Sequence, residues 1–475
     1  MPRLRVLFVV SECVPLVKTG GLGDVAGALP PALAQRGHDV RVVMPRYQEA
    51  KPFPAKRLDV PIGVPLGGGE RWCGLYEGKL RRDVPIYLLE HDVLYDRKGL
   101  YGDDHGDFGD NLLRFALLSR GAFAVADAVG FRPDVIHIND WQTCLVPLYQ
   151  KLLGRREATV LSIHNLGYQG WFGMEGLGAT GIAAHEASST GYEHYGPLNL
   201  LKGGIVNSTM VSTVSPTYAA EIATDEGGMG LEGVLRWRGQ DTIGVLNGID
   251  DAIWDPRHDH HLPATFGPDD LSGKAACKAE LQRELGLPVR PDVPVIGMVT
   301  RLAHQKGMDV VAGALGELLR EDVQLVVLGK GEKWAEELLV RLANTTDKVG
   351  AKIAVSERWA HLIEAGSDLF LMPSRYEPCG LNQMYSQRYG TLPIVRAVGG
   401  LVDTVEHDAT GFVFRELSPT VLAGCVKYAL YTMRERPEHF AAMRAAAMRK
   451  SMGWDRSAAQ YEALYRLAIA RQRMR

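Results

Sequence analysis

The sequence predicts an α/β protein built from two doubly wound, Rossmann-like domains. Short, wholly apolar runs alternate with helix-like stretches in both halves, the pattern of parallel sheets covered on both faces. A turn-rich stretch without periodicity separates the halves. The length of 475 residues also exceeds what one hydrophobic core commonly serves.

In the first half, strands are expected at 4–10, 39–44, 84–89, 134–138, 158–163 and 209–214, with a helix from Asn111 to Val129. This half defines a domain over 1–245. Residues 246–272 hold Asn247-Gly248, Asp255-Pro256 and His258-Asp259-His260-His261, and are expected to form a hinge and linker. A second domain over 273–455 carries expected strands at 294–299, 323–328, 352–355, 368–372, 392–396 and 411–414. The remaining 456–475 belong to a terminal helix that Asp455 is expected to cap.

Composition narrows the function. With 46% hydrophobic and 23% charged residues the chain is ordinary for a globular protein. A net charge of −3 leaves no basic excess for nucleic acid or an acidic membrane. The apolar run Val6 to Val10 is too short for a signal peptide, and no run approaches the ~20 residues of a membrane helix. Six scattered cysteines without a CxxC pair suggest neither a disulfide frame nor a zinc site, so a reducing cytoplasm is expected. Asp107-Phe108-Gly109 copies a kinase triplet without the catalytic loop that should precede it.

Three loops carry chemistry, each after an apolar strand, where ligands bind in open α/β sheets. The first, Lys18-Thr19-Gly20-Gly21-Leu22-Gly23-Asp24-Val25, sets Gly20, Gly21 and Gly23 before a helix expected from about Val25. Its glycines admit a bulky ligand, the helix N-terminus favours an anion, and Lys18 adds a charge. Asp24 is expected to cap that helix. The second loop runs from Thr300 to Gly307, where Arg301 and Lys306 are close enough to converge on one diphosphate. The third, Pro373 to Leu381, offers Glu377 to sugar hydroxyls.

Together with Asp140-Trp141, His164 to Gly170, Thr213 to Tyr218, Asn247 to Asp250 and Gly399-Gly400-Leu401, these segments resemble the bacterial glycogen synthases. That is the retaining glucosyltransferase family shared with plant starch synthases. The segments follow family order almost from end to end. The resemblance implies a GT-B architecture, two Rossmann-like domains facing a cleft, with the last helix crossing back to the first domain. It implies transfer of glucose from ADP-glucose to the non-reducing end of an α-1,4-glucan, with retention.

On that reading Arg301 and Lys306 hold the leaving diphosphate, His164 orients the reacting glucose, and Glu377 binds its hydroxyls. Lys18, Gly20, Gly21, Gly23, Asp24, Asp140, Asn165, Asn247, Cys379, Gly380 and Leu381 are implied to bind the donor. No cofactor and no metal are expected, since fixed cations already meet the diphosphate; His258-Asp259-His260-His261 departs from the family pattern and has no further ligands nearby in sequence. The wider relatives' second glutamate is Tyr385 here. No carboxylate pair of the kind a retaining glycosidase sets about 5 Å apart is visible, which disfavours hydrolysis. UDP-glucose as donor, or a non-catalytic glucan-binding protein on the same fold, are the alternatives.

Overall fold

The computed structural model describes residues 2–474 and separates into two compact units. One comprises the chain up to Gly248 together with Trp454 onward; the other is Ile249–Gly453.

Ten strands form the main sheet of the first unit: β1 (Arg5–Val9), β2 (Asp39–Pro45), β3 (Ala55–Arg57), β4 (Ile62–Leu66), β5 (Gly69–Lys79), β6 (Pro85–Glu90), β7 (Val135–Asn139), β8 (Ala158–Ile163), β9 (Met210–Thr213) and β10 (Thr242–Gly244). In space β10, β9, β8, β7, β1, β2 and β6 run side by side and parallel. β5 then pairs antiparallel with β6 and carries β3 and β4. Strand order reverses between β1 and β7, so the loops leaving them flank a natural ligand crevice. Two helices matter for the site, α1 (Gly21–Gln35) and α2 (Asn111–Ala128). The C-terminal helix Trp454–Arg473 belongs to this unit: the Tyr465 hydroxyl meets His137 Nδ1 at 2.7 Å, and Arg36 pairs with Glu462 at 2.9 Å.

The second unit has a six-stranded parallel sheet: β11 (Val295–Val299), β12 (Gln324–Gly329), β13 (Val349–Ile353), β14 (Leu369–Met372), β15 (Leu392–Arg396) and β16 (Phe412–Phe414). Their order is β13-β12-β11-β14-β15-β16, again with a reversal, here between β11 and β14. Successive residues alternate between two apolar cores. Ile296, Met298, Leu325, Val327, Leu369 and Leu371 enter one; Val295, Val326, Leu328, Phe370 and Met372 enter the other. That is why these strands read as unbroken apolar runs. Helices α3 (Ser272–Glu284), α4 (Met308–Leu318), α5 (Glu357–Gly366), α6 (Asn382–Arg388) and α7 (Gly399–Thr404) complete what is needed below.

Several expectations shift. α1 begins at Gly21, four residues before the expected Val25, so Asp24 lies within its first turn and is not its cap. Gly20 precedes the helix without any side-chain cap, and Asp24 pairs with Lys18 instead. Asp455 likewise sits inside the first turn of the C-terminal helix. The strand expected at 352–355 starts earlier, because Val349 pairs with Leu325. Residues 249–272, expected as hinge and linker, pack into the second unit: Phe266 and Cys277 share a core with Tyr389, and Trp254 lies against it. The antiparallel edge β3–β5 carries a weak sequence signature, since Pro65 and several glycines are residues that strands disfavour. Among the described residues, no helix is long and apolar enough to cross a membrane.

One buried lysine braces the second unit, its ammonium pushed down to about 7 by burial. Lys274 on α3 is 5% exposed, and its ammonium donates to the Ala365 carbonyl (2.8 Å), the Tyr389 carbonyl (2.9 Å) and the Thr391 hydroxyl (2.7 Å). Lys274→Met keeps the stem and strips the donor from three buried acceptors. We expect it to destabilise the unit by about 2–4 kcal/mol in a denaturant titration; a change under about 0.5 kcal/mol, the range of neutral surface substitutions, would show the acceptors are satisfied otherwise.

Candidate functional site

In the second unit the candidate residues lie on the loops after β11 and β14, at the strand-order reversal. A short turn, His304–Lys306, leads into α4 through Gly307, whose φ is +73°. A Cβ on Gly307 would stand 2.1 Å from the Pro373 carbonyl, so glycine lets the two loops touch. This approach brings the Lys306 ammonium to 2.6 Å from Glu377 Oε2, and the Ser374 hydroxyl donates to the same oxygen at 2.9 Å. Glu377 is 6% exposed, so most of its charge is met by protein. Arg301 donates to Gln305 Oε1 (3.1 Å), and Gln305 Nε2 donates to the Tyr376 carbonyl (3.2 Å). Arg375 pins the same two loops by pairing with both oxygens of Asp309 at 2.7 Å and donating to the His304 carbonyl.

Behind Glu377 stands a glycine pair. The Gly400 amide donates to the Glu377 carbonyl at 3.1 Å, and Gly399 adopts φ +45°. Cys379 and Gly380 follow, their carbonyls both accepting from Gln383 Nε2 at 3.0 Å, and Leu381 leads into α6. The structure therefore joins Lys306, Glu377 and the Gly399-Gly400 motif directly, while Arg301 reaches them through Gln305.

In the first unit the loop after β1 differs from expectation. Its Thr19 and Gly20 amides do not point outward to an anion; both donate to the buried carboxylate of Glu12. The Thr19 and Tyr101 hydroxyls, each at 3.2 Å, complete that shell. Burial pushes the Glu12 carboxyl above its usual range, and the four donors oppose the shift. Lys18 meets Asp24 at 3.0 Å but is itself exposed, so its ammonium remains available to an incoming anion. Gly23 is required internally, because a Cβ there would come within 2.6 Å of Lys18 Cβ. Gly20 faces open space, where a Cβ would meet nothing within 4 Å.

The loops after β7 and β8 meet beside it. Asp140 holds φ +54° and ψ −176°, a conformation costly for any residue but glycine. Its carboxylate oxygen Oδ1 accepts the His164 amide at 2.7 Å, and the Asn165 amide adds a further hydrogen bond. Burial raises this carboxyl to about 7. Asn139 donates to the Val9 carbonyl through Nδ2 and so presents Oδ1 to His164 Nε2 at 3.0 Å. His164 thus carries its proton on Nε2, leaving Nδ1 as an acceptor. Burial pushes it down to about 3, so the ring stays neutral at working pH and is suited to orienting a hydroxyl, not to proton transfer. Trp141 is core packing, set edge-on to Phe115 with ring centres 5.0 Å apart. Asn247 is buried, with Oδ1 lacking a partner among the described residues.

Asp140 supports a test of sign. A carboxyl raised from 3.8 to about 7 holds its proton in the folded state where the unfolded chain has lost it. Stability is therefore full below about pH 4 and declines as pH rises towards 7. Asp140→Asn, neutral throughout and of the same shape, should remove this decline. At pH 8 it should exceed the wild type by about 1–3 kcal/mol in chemical denaturation. Parallel pH–stability curves for the two proteins would refute the assignment.

Sequence reasoning passed over Glu12 and Asn139, which lie outside its motifs, and over Gln305 and Ser374, uncharged residues inside the second and third loops. Glu12, an acidic residue directly after an apolar strand and before a glycine-rich loop, offered the only usable signal.

The chain is similar to known glycosyltransferases over nearly its whole length. A family model described as the starch synthase catalytic domain matches residues 5–237, and one described as glycosyl transferases group 1 matches 284–443. The chain is 51% identical to a glycogen synthase of Anaeromyxobacter sp. (strain Fw109-5), over 98% of its own length and 100% of the relative's. It is 45% identical to glycogen synthase 1 of Geobacter sulfurreducens, covering 99% and 98%. The solved catalytic domain of starch synthase IV from Arabidopsis thaliana, bound to ADP and acarbose, superposes with a TM-score of 0.91 at 31% identity, covering 99% of this chain and all of that one.

Proposed function

Since the chain belongs to the starch and glycogen synthase family of glycosyltransferases, we propose that it elongates an α-1,4-glucan by transferring glucose from ADP-glucose with retention. The observation that carries this reading is the Lys306–Glu377–Ser374 cluster at the strand-order reversal of the second unit. The relative solved with ADP supports the nucleotide, and acarbose bound to the same relative supports a glucan acceptor.

The barrier lies in charge separation, as the nucleoside diphosphate departs and positive charge grows on the sugar. A fixed cation on the departing phosphates lowers it most. Lys306 is assigned there, with Arg301 as the second cation. The incoming diphosphate competes with Glu377 for Lys306, which frees the carboxylate for glucose hydroxyls and places negative charge near the developing oxocarbenium. His164 Nδ1 accepts from a sugar hydroxyl, and Lys18 exchanges Asp24 for substrate. The donor set Gly20, Gly21, Gly23, Asp24, Asp140, Asn165, Asn247, Cys379, Gly380 and Leu381 is retained as part of this proposal. Retention then proceeds by front-face attack, the leaving phosphate taking the acceptor proton. The chain needs no metal for this step.

The test is incorporation of labelled glucose into precipitable glycogen, with ADP-glucose and UDP-glucose run side by side. Incorporation from ADP-glucose, exceeding that from UDP-glucose, is expected. Preference for UDP-glucose would replace the donor assignment, and no incorporation from either by folded protein would overturn the reaction.

A further inference from the structure

The second unit contains a group of metal-ligand type apart from every residue assigned above. His261, Glu357 and His361 each present one ligand atom, and these atoms lie within 4.8 Å of one another. Glu357 and His361 are four residues apart on α5, hence on one helix face. His261 comes from the segment packed against it. We propose that these three residues bind a divalent transition-metal ion, zinc by the chemistry of the donor set, and thereby clamp residues 254–261 to α5.

Three observations carry the proposal beyond proximity. His361 is fully buried, and its Nε2 has no partner among the described residues. Its Nδ1 is held by Asp259 Oδ2 at 2.6 Å, the carboxylate–histidine arrangement that fixes a metal ligand's tautomer and leaves Nε2 as the lone-pair donor. The same Asp259 accepts the His261 amide through Oδ1 at 2.9 Å, so one buried carboxylate orients both histidine-bearing segments. Tyr389 donates to Asp259 at 2.6 Å, and Trp254 stacks on the His361 ring with centres 3.8 Å apart, giving a rigid outer shell. Two imidazoles and a carboxylate are a zinc set that leaves a fourth position to water. Bonds of about 2.0–2.2 Å require the three atoms to draw together by roughly an ångström. Glu357 is exposed and His261 only half-buried, so both have room to move. The sequence hid the site because its ligands are separated by almost a hundred positions.

The experiment uses untagged full-length protein equilibrated with zinc chloride in chelator-treated buffer, desalted, and assayed for metal by mass spectrometry. Affinity is measured by competition with a chromophoric chelator. One zinc per chain is expected. His261→Ala and Glu357→Gln, both at accessible positions, should each weaken binding at least about tenfold, the loss seen when even an outer partner of a ligand is removed. Zinc should raise the melting temperature of the wild type and, at the same zinc concentration, raise that of either variant less. Sub-stoichiometric zinc overturns the proposal. So does undiminished affinity in both variants, or loss in His258→Ala with retention in His261→Ala.

Discussion

Lys306→Ala is expected to lower kcat for glucose incorporation by about 10²–10³-fold, the scale of removing one preorganised charge partner from a transition state. Lys306 sits 2.6 Å from Glu377 and is the cation best placed after β11. The substitution also leaves Glu377 as a buried carboxylate that has lost its counter-ion, so some loss of stability should accompany the loss of rate. Glu377→Gln separates the two effects, because the amide still accepts from Ser374 while carrying no charge. It should fold well and lose kcat on a similar scale. If the two groups act as a unit, the double variant should be little worse than either single one. Multiplicative losses in the double variant would mean that the two groups act independently, and a single loss below about tenfold would remove that group from the reaction.

Gly399→Ala should reduce kcat by about 10²-fold although it alters no charge. A Cβ at Gly399 would fall 1.9 Å from the Glu377 carbonyl, and its φ of +45° disfavours any side chain. The clash is with backbone, so the loop must move and carry Glu377 with it. The Gly400 amide that holds the Glu377 carbonyl would be displaced as well. Misplacement of this kind changes turnover more than nucleotide affinity. Comparing kcat with the binding of free ADP therefore discriminates: equal losses in both would mean that the donor pocket had collapsed instead.

Much of the architecture is legible in the sequence. The parallel strands announced themselves as apolar runs because residues on both of their faces enter cores, as Ile296 and Val295 do. The antiparallel edge β3–β5 stayed hidden, since half-exposed strands broken by glycine and proline leave no such signature. Helix starts slipped at Asp24 and Asp455, where an acidic residue in the first turn imitates a cap. At the site, loops bearing Lys306 and Glu377 could be named from their position after strands. That Gly399-Gly400 supports Glu377 could not, because the contact joins the loops after two strands, β14 and β15, whose pairing is a tertiary fact.

The sequence by itself determined the fold class, the family and the loops that carry chemistry. Those properties are written in short-range patterns: apolar periodicity, glycine spacing, and charge next to a strand end. Tertiary structure alone decided which groups neutralise one another. Thr19 and Gly20 turn their amides onto Glu12, His164 is held neutral by burial with Asn139 on its Nε2, and Asp259 gathers His261 and His361. Each of these depends on which strands become neighbours and on how much water is excluded between them. Hydrogen-bond partnership and protonation are set by that local environment, which a linear pattern does not encode.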